Sequence, residues 1–112
     1  MGKISVADIV FVSFPFSNLS NTKLRPALVL AYAQRNDWVL CQITSKSYGD
    51  NKAICINETS YSCGSLELIS YIRPSKLFTA NEEIIIKNVA SLKKEVHQKV
   101  ISRIQEILIN GE

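Results

Sequence analysis

Ile9-Val10-Phe11-Val12-Ser13-Phe14 carries apolar side chains on both of its alternating faces, the pattern of a strand covered on two sides. Such a strand belongs inside a sheet that is packed on both faces or curled around on itself. Pro15 fixes φ and lacks a donor N–H, so the strand ends there. Further short apolar runs follow at Leu24 to Ala33, Trp38 to Thr44, Ala53 to Ile56, around Leu66 to Ile72, and Ile84 to Ala90. Asn36-Asp37, both tolerant of positive φ, is the expected turn between the second and third runs. Pro74 is expected to break the chain before the short apolar pair Leu77-Phe78. Only the end reads as helical. Ser91 is the expected N-cap, Val96, Val100, Ile101, Ile104 and Leu108 recur at helical spacing, and Gly111 falls just past the last turn. The pattern predicts a mainly β chain with a C-terminal α-helix: a small, strongly bent sheet or partly open β-barrel, forming a single domain over residues 1–112.

Arg25 opens the second run, in Leu24-Arg25-Pro26-Ala27-Leu28-Val29-Leu30, and Thr44-Ser45 closes the third, in Leu40-Cys41-Gln42-Ile43-Thr44-Ser45. An apolar strand needs neither a guanidinium nor two hydroxyls for packing, and both kinds of group suit a phosphate. Side chains in a strand alternate with period two, so a hairpin loop of two or four residues sets Arg25 and Thr44 on one face. In the four-residue case they are diagonal neighbours roughly 7–8 Å apart. An odd loop sets them on opposite faces. Taken alone, Arg25 is an ordinary ion-pair partner at a strand entrance, and Thr44 and Ser45 are a good strand residue and a good turn starter.

The net charge of +3 gains meaning from its distribution. Residues 1–56 hold six Lys/Arg against three acids, whereas residues 57–112 balance seven against seven. The surplus leans towards a polyanionic partner for the first half, and also fits ordinary solvated surface. Two polar loops, Ser17 to Lys23 and Ser45 to Lys52, flank Arg25 and Thr44; each is either plain connecting chain or a candidate grip on a bound polyanion, with Lys23 and Lys46 as generic phosphate contacts. Three cysteines, Cys41, Cys55 and Cys63, without a Cys-x-x-Cys pair predict neither a disulfide framework nor a zinc site. His97 is the only histidine and falls mid-helix, which argues against a paired-histidine nuclease. The acids lack the spacing of a two-metal cluster, and no glycine-rich phosphate loop occurs, so no metal and no cofactor are expected. No basic stretch feeds an apolar block after Met1, and the longest apolar runs are too short to cross a bilayer. The expectation is a cytoplasmic protein.

Ala7-Asp8-Ile9-Val10-Phe11-Val12-Ser13-Phe14-Pro15-Phe16, the Arg-Pro-Ala-Leu-Val-Leu segment at Arg25 and the Ile-Thr-Ser segment ending at Ser45 together resemble the MazF/PemK family of toxin endoribonucleases. Tyr71-Ile72-Arg73-Pro74-Ser75-Lys76-Leu77-Phe78 is similar to a later segment of the same family. The resemblance spans nearly the whole chain. It implies an SH3-like β-barrel, a homodimer, and metal-independent cleavage of single-stranded RNA at short preferred sequences. It further implies 2′,3′-cyclic phosphate and 5′-hydroxyl ends, and a cognate antitoxin that blocks the site. Arg25 and Thr44 match the family's catalytic arginine and threonine. Ser45 follows as their neighbour, and Arg73 matches a later basic position on the substrate side. The family's opening motif usually carries glycine where this chain has Ala7, and commonly aspartate where it has Ser13. A second reading keeps the barrel as a non-catalytic module binding nucleic acid or protein. Its gyrase-poisoning variant uses a tryptophan near the end of the C-terminal helix, where this chain has none; its one tryptophan is Trp38.

Overall fold

A strand apolar on both faces needs a packing layer above and below it. The computed structural model of the chain, which describes residues 3–15 and 22–112, supplies both. The strands are β1 (Asp8–Pro15), β2 (Thr22–Tyr32), β3 (Asp37–Thr44), β4 (Ile54–Ile56), β5 (Tyr61–Gly64), β6 (Ser70–Asn81) and β7 (Ile85–Leu92). A 3₁₀ turn, Glu82–Ile84, precedes β7, and α1 (Lys94–Asn110) follows it. Among the described residues the strands form a seven-stranded sheet in the order β4-β6-β3-β2-β1-β7-β5, antiparallel at every pairing.

One face of the sheet buries Ile9, Leu28, Cys41, Ile43 and Ile72 together with Val100 and Ile104 of α1. The other buries Val10, Val12, Ala27, Val29 and Leu40 together with Trp38 and Ile85. Neighbouring residues of β1, β2 and β3 thus feed opposite cores. Each such side chain contributes roughly 1.5–3 kcal/mol when fully buried, so neither face can be uncovered cheaply. Register shifts interrupt the pairing of β1 with β7, β2 with β3, β3 with β6 and β5 with β7. Bulges of this kind bend a strand and increase its twist, and here they accompany a mainly β, strongly curled sheet with one C-terminal helix, a partly open barrel.

The structure departs from the sequence expectations at several places. The apolar residues around Leu66 are not a strand; residues 65–69 are a loop, and β5 lies just before them at Tyr61–Gly64. Gly64 sits at φ 63°, and a β-carbon there would drive into the Val89 carbonyl, so β5 depends on that glycine to approach β7. Pro74 does not break the chain. β6 passes through it, and the extra residues around it are absorbed where the β3–β6 register shifts between Cys41 and Ile43. Three residues with positive φ, Gln34, Arg35 and Asn36, make the β2–β3 turn, and Asp37 already belongs to β3. The expected loop Ser17 to Lys23 falls mostly outside the described residues, and Lys23 itself is in β2.

At the helix, Lys93 takes the N-cap position. Ser91 remains in β7, where its hydroxyl donates to Asp8 Oδ1 at 2.6 Å. Asp8 is buried and also accepts from Asn88 Nδ2 (2.7 Å) and the Ser5 N–H (2.9 Å), so this carboxylate ties β1 to β7. Gly111 caps the other end at φ 83°, its N–H donating to the Ile107 carbonyl. Leu108, expected on the core face, is 69% exposed, because Val100 and Ile104 already provide the helix's buried contacts. Cys55, expected inside an apolar run, is exposed between buried Ile54 and Ile56.

Candidate active site

Pro26 has no N–H to donate, and the β2–β3 pairing stops one residue away, at Ala27↔Gln42. Both strands nevertheless run on. β2 continues back to Thr22 against β1, and β3 continues to Thr44 against β6. A seam without ladder hydrogen bonds therefore separates Arg25 from Thr44. Extending the Ala27↔Gln42 register by two residues sets Arg25 across from Thr44, with both on the face that buries Ala27 and Leu40. On the far side of β3, Thr44 is paired with Tyr71. Arg25, Thr44 and Tyr71 thus form one row across three strands, and all three are half-buried.

The route to that shared face differs from the expected one. The last hairpin pair is Tyr32↔Trp38, which leaves the odd stretch 33–37 between them. By itself that count would send Arg25 and Thr44 to opposite faces. The register shift between Val29 and Ala31 adds one residue to β2 and restores the parity. The two residues are consequently set directly across the seam, not diagonally.

A hollow of about 480 Å³ lies at the seam, bordered by Lys23, Arg25, Thr44 and Ser45. Lys87 of β7 and Glu67 of the 65–69 loop also border it. Neither was singled out from the sequence. Lys87 arrives because it pairs with Phe11 across β1–β7, and Glu67 because its loop folds back towards the seam; both are long-range consequences of strand order. Among the described lining residues, three cations thus surround one carboxylate. Lys46 does not border the hollow, but its N–H donates to Thr44 Oγ1 at 3.2 Å, which orients that hydroxyl.

Arg73 lies on the same face as Thr44 and, like Lys46, does not border the hollow; its guanidinium is engaged by neighbouring side chains. Its Nε donates to Asp50 Oδ2 at 3.0 Å, its Nη1 to Gln42 Oε1 at 3.5 Å, and the Tyr48 ring centroid lies 5.2 Å from its Cζ. Burial acts to raise the Asp50 carboxyl, but the Arg73 hydrogen bond and charge, with the Lys52 and Ala53 N–H groups, outweigh it and hold the carboxyl below its usual value. Burial pushes the Cys41 thiol up to about 12, which rules it out as a nucleophile at neutral pH. Burial also lowers His97, which sits half-buried on α1 and does not border the hollow. Among the described residues no three His, Cys, Asp or Glu side chains gather into a group able to hold a metal ion, and no helix is long and apolar enough to cross a membrane.

The sequence profile of the PemK-like, MazF-like toxins of type II toxin–antitoxin systems matches residues 5–108. No curated protein sequence matches the chain significantly. Solved structures do resemble it over almost its full length. A MazE–MazF complex from Deinococcus radiodurans superimposes with a TM-score of 0.76 at 16% identity, covering 94% of this chain and 95% of that one. An endoribonuclease in complex with its cognate antitoxin, from a mycobacterial species, gives 0.72 at 10% identity over 96% and 95%. The Mycobacterium tuberculosis toxin MazF-mt6 gives 0.67 at 12% identity over 89% and 96%. At these identities the likeness is one of fold.

Proposed function

Because the chain belongs to the PemK-like, MazF-like toxin family, we propose that it is an endoribonuclease that cuts single-stranded RNA at short preferred sequences without a metal ion. In this reading it acts in the cytoplasm as a homodimer and is held inactive by a cognate antitoxin, as the complexes of its structural neighbours suggest. The observation that supports the reading is the seam, where β2 and β3 no longer pair with each other, their register sets Arg25 across from Thr44, and both residues border one hollow.

Cleavage requires the ribose 2′-hydroxyl to attack phosphorus while losing its proton. The P–O5′ bond breaks as O5′ gains a proton, which leaves a 2′,3′-cyclic phosphate and a 5′-hydroxyl. Guanidinium groups keep their protons at neutral pH, so Arg25 acts by stabilising the charge that builds on the non-bridging oxygens and by hydrogen-bonding the departing O5′, which takes its proton from solvent water. Thr44, its hydroxyl oriented by the Lys46 N–H, positions the phosphate. Lys23, Ser45 and Lys46 steady the flanking backbone. Glu67, the carboxylate among the described residues that border the hollow, accepts the 2′-hydroxyl proton.

The test incubates purified protein with a mixed-sequence RNA in excess chelator and maps both new ends. The expected result is cleavage with cyclic-phosphate and 5′-hydroxyl termini, slowed about 10²–10³-fold by Arg25→Ala or Thr44→Ala and about 10²-fold or more by Glu67→Gln. An intact RNA pool, or cuts that vanish with chelator, would contradict the reading.

A further inference from the structure

β3 and β4 both pair with β6, one on each side, at the same residues: Ile72 faces Ile43 and Ile54, and Tyr71 faces Thr44 and Cys55. The connection between them, residues 45–53, must therefore cross β6. A crossover between parallel strands is usually stiffened by a helix, but this one contains turns only. It begins at Thr44, so any looseness in it reaches the proposed catalytic hydroxyl directly.

What ties this loop down is the Arg73 guanidinium beneath it. Tyr48 covers one side of the guanidinium at 5.2 Å, and Asp50 grips Nε at 3.0 Å. Asp50 is fixed in turn, since its Oδ1 accepts the Lys52 N–H at 2.9 Å and its backbone N–H donates to the Ser47 carbonyl at 3.0 Å. Gln42, two residues before Thr44 on the same strand and face, accepts from Nη1. The far end of the loop has its own tether, where Arg103 of α1 donates to the Lys52 carbonyl at 3.0 Å. The Arg73 and Asp50 side chains are only 19% and 9% exposed. Asp50 on Nε and Gln42 on Nη1 thus already engage two of the three guanidinium nitrogens of a mostly buried side chain.

Resting on the endoribonuclease reading, we propose that Arg73 is a positioning residue and not a phosphate contact. With Asp50 and Tyr48 it forms a latch that fixes the 45–53 crossover, and the latch sets where the Thr44 hydroxyl and Ser45 stand relative to the cleaved phosphate. The role that the family resemblance implies for Arg73 at the substrate is thereby moved to the loop's anchor.

The test measures cleavage of one RNA oligonucleotide, carrying a mapped cut site, by wild type, Asp50→Asn, Arg73→Ala and the exchanged pair Asp50→Arg with Arg73→Asp. Each variant is first melted to establish that it is folded at the assay temperature. The latch predicts that Asp50→Asn and Arg73→Ala both lower kcat, by up to about 10²-fold as expected for a misplaced group. It also predicts little change in KM or in the salt dependence of binding, with kcat partly restored in the exchanged pair. Should the exchanged pair not fold, Tyr48→Leu replaces it, because that ring is 63% exposed and its removal should lower kcat in the same pattern. The proposal is overturned if Asp50→Asn cuts at the wild-type rate. It is equally overturned if Arg73→Ala raises KM and flattens the salt slope by about 0.7, the mark of one lost phosphate contact on a single strand. Failure of the wild type to cut RNA would instead overturn the endoribonuclease reading itself.

Discussion

At the scale of single residues, Ala7 shows how the chain departs from an easier local choice. It holds φ 77°, its N–H donates to the Val29 carbonyl at 3.0 Å, and its own carbonyl accepts the Leu92 N–H at 2.9 Å. Those two bonds join the entry of β1 to both β2 and β7, so the left-handed conformation is imposed by the sheet. A side chain there costs roughly 1–2 kcal/mol that glycine would avoid, less what glycine loses in the more flexible unfolded chain. Ala7→Gly should therefore raise the unfolding free energy by up to about 1 kcal/mol, read from denaturant melts at equal m-value; a loss of stability would mean that the backbone is not strained there. Ser91 teaches the opposite lesson. Its place just before a helical pattern made it a natural N-cap in the sequence, but its hydroxyl is taken by Asp8, a partner far away in the chain that no local pattern reveals.

Among the elements, β1, β2, β3 and the C-terminal helix were legible because each is a marked apolar or helically spaced run with a clear boundary: Pro15 after β1, the turn between β2 and β3, and Gly111 after the helix. β5 was not, since it holds four residues and depends on Gly64 meeting the Val89 carbonyl. The shared face of Arg25 and Thr44 was expected for a hairpin loop of two or four residues only, and the structure reaches it by another route. An odd turn and a bulge at Leu30 cancel each other, and bulges leave no clear mark in an apolar run. The 45–53 crossover has its own pH signature. Asp50's folded carboxyl lies below the ordinary value of 3.8, so the stability it lends is fully present above that value and is lost as pH falls through the lowered one. Wild type should consequently be more stable than Asp50→Asn at neutral pH, with the gap closing in strong acid. Chemical denaturation at a series of pH values would reveal this, and a gap that stays constant would show that the ion pair does not contribute.

For the whole molecule, the cationic lean of the first half of the chain proved to be only part of the field around the hollow. Lys23 and Arg25 come from the first half, whereas Lys87 and Glu67 come from the balanced half and are brought in by strand order. A charge count along the chain could not have found them. If Lys87 faces the RNA backbone, Lys87→Ala should weaken binding about equally for all sequences and reduce the salt slope by about 0.7; an altered preference among sequences, with the slope unchanged, would place it against a base instead. The account as a whole depends on Arg25 and Thr44 acting on one phosphate from opposite sides of the seam. Groups that act as a unit give strongly non-additive losses. The most direct measurement is the single-turnover cleavage rate of Arg25→Ala, Thr44→Val and the double variant on one RNA. The account predicts a double variant little slower than the slower single. Losses that simply multiply, or a single variant that cuts at full rate, would contradict it.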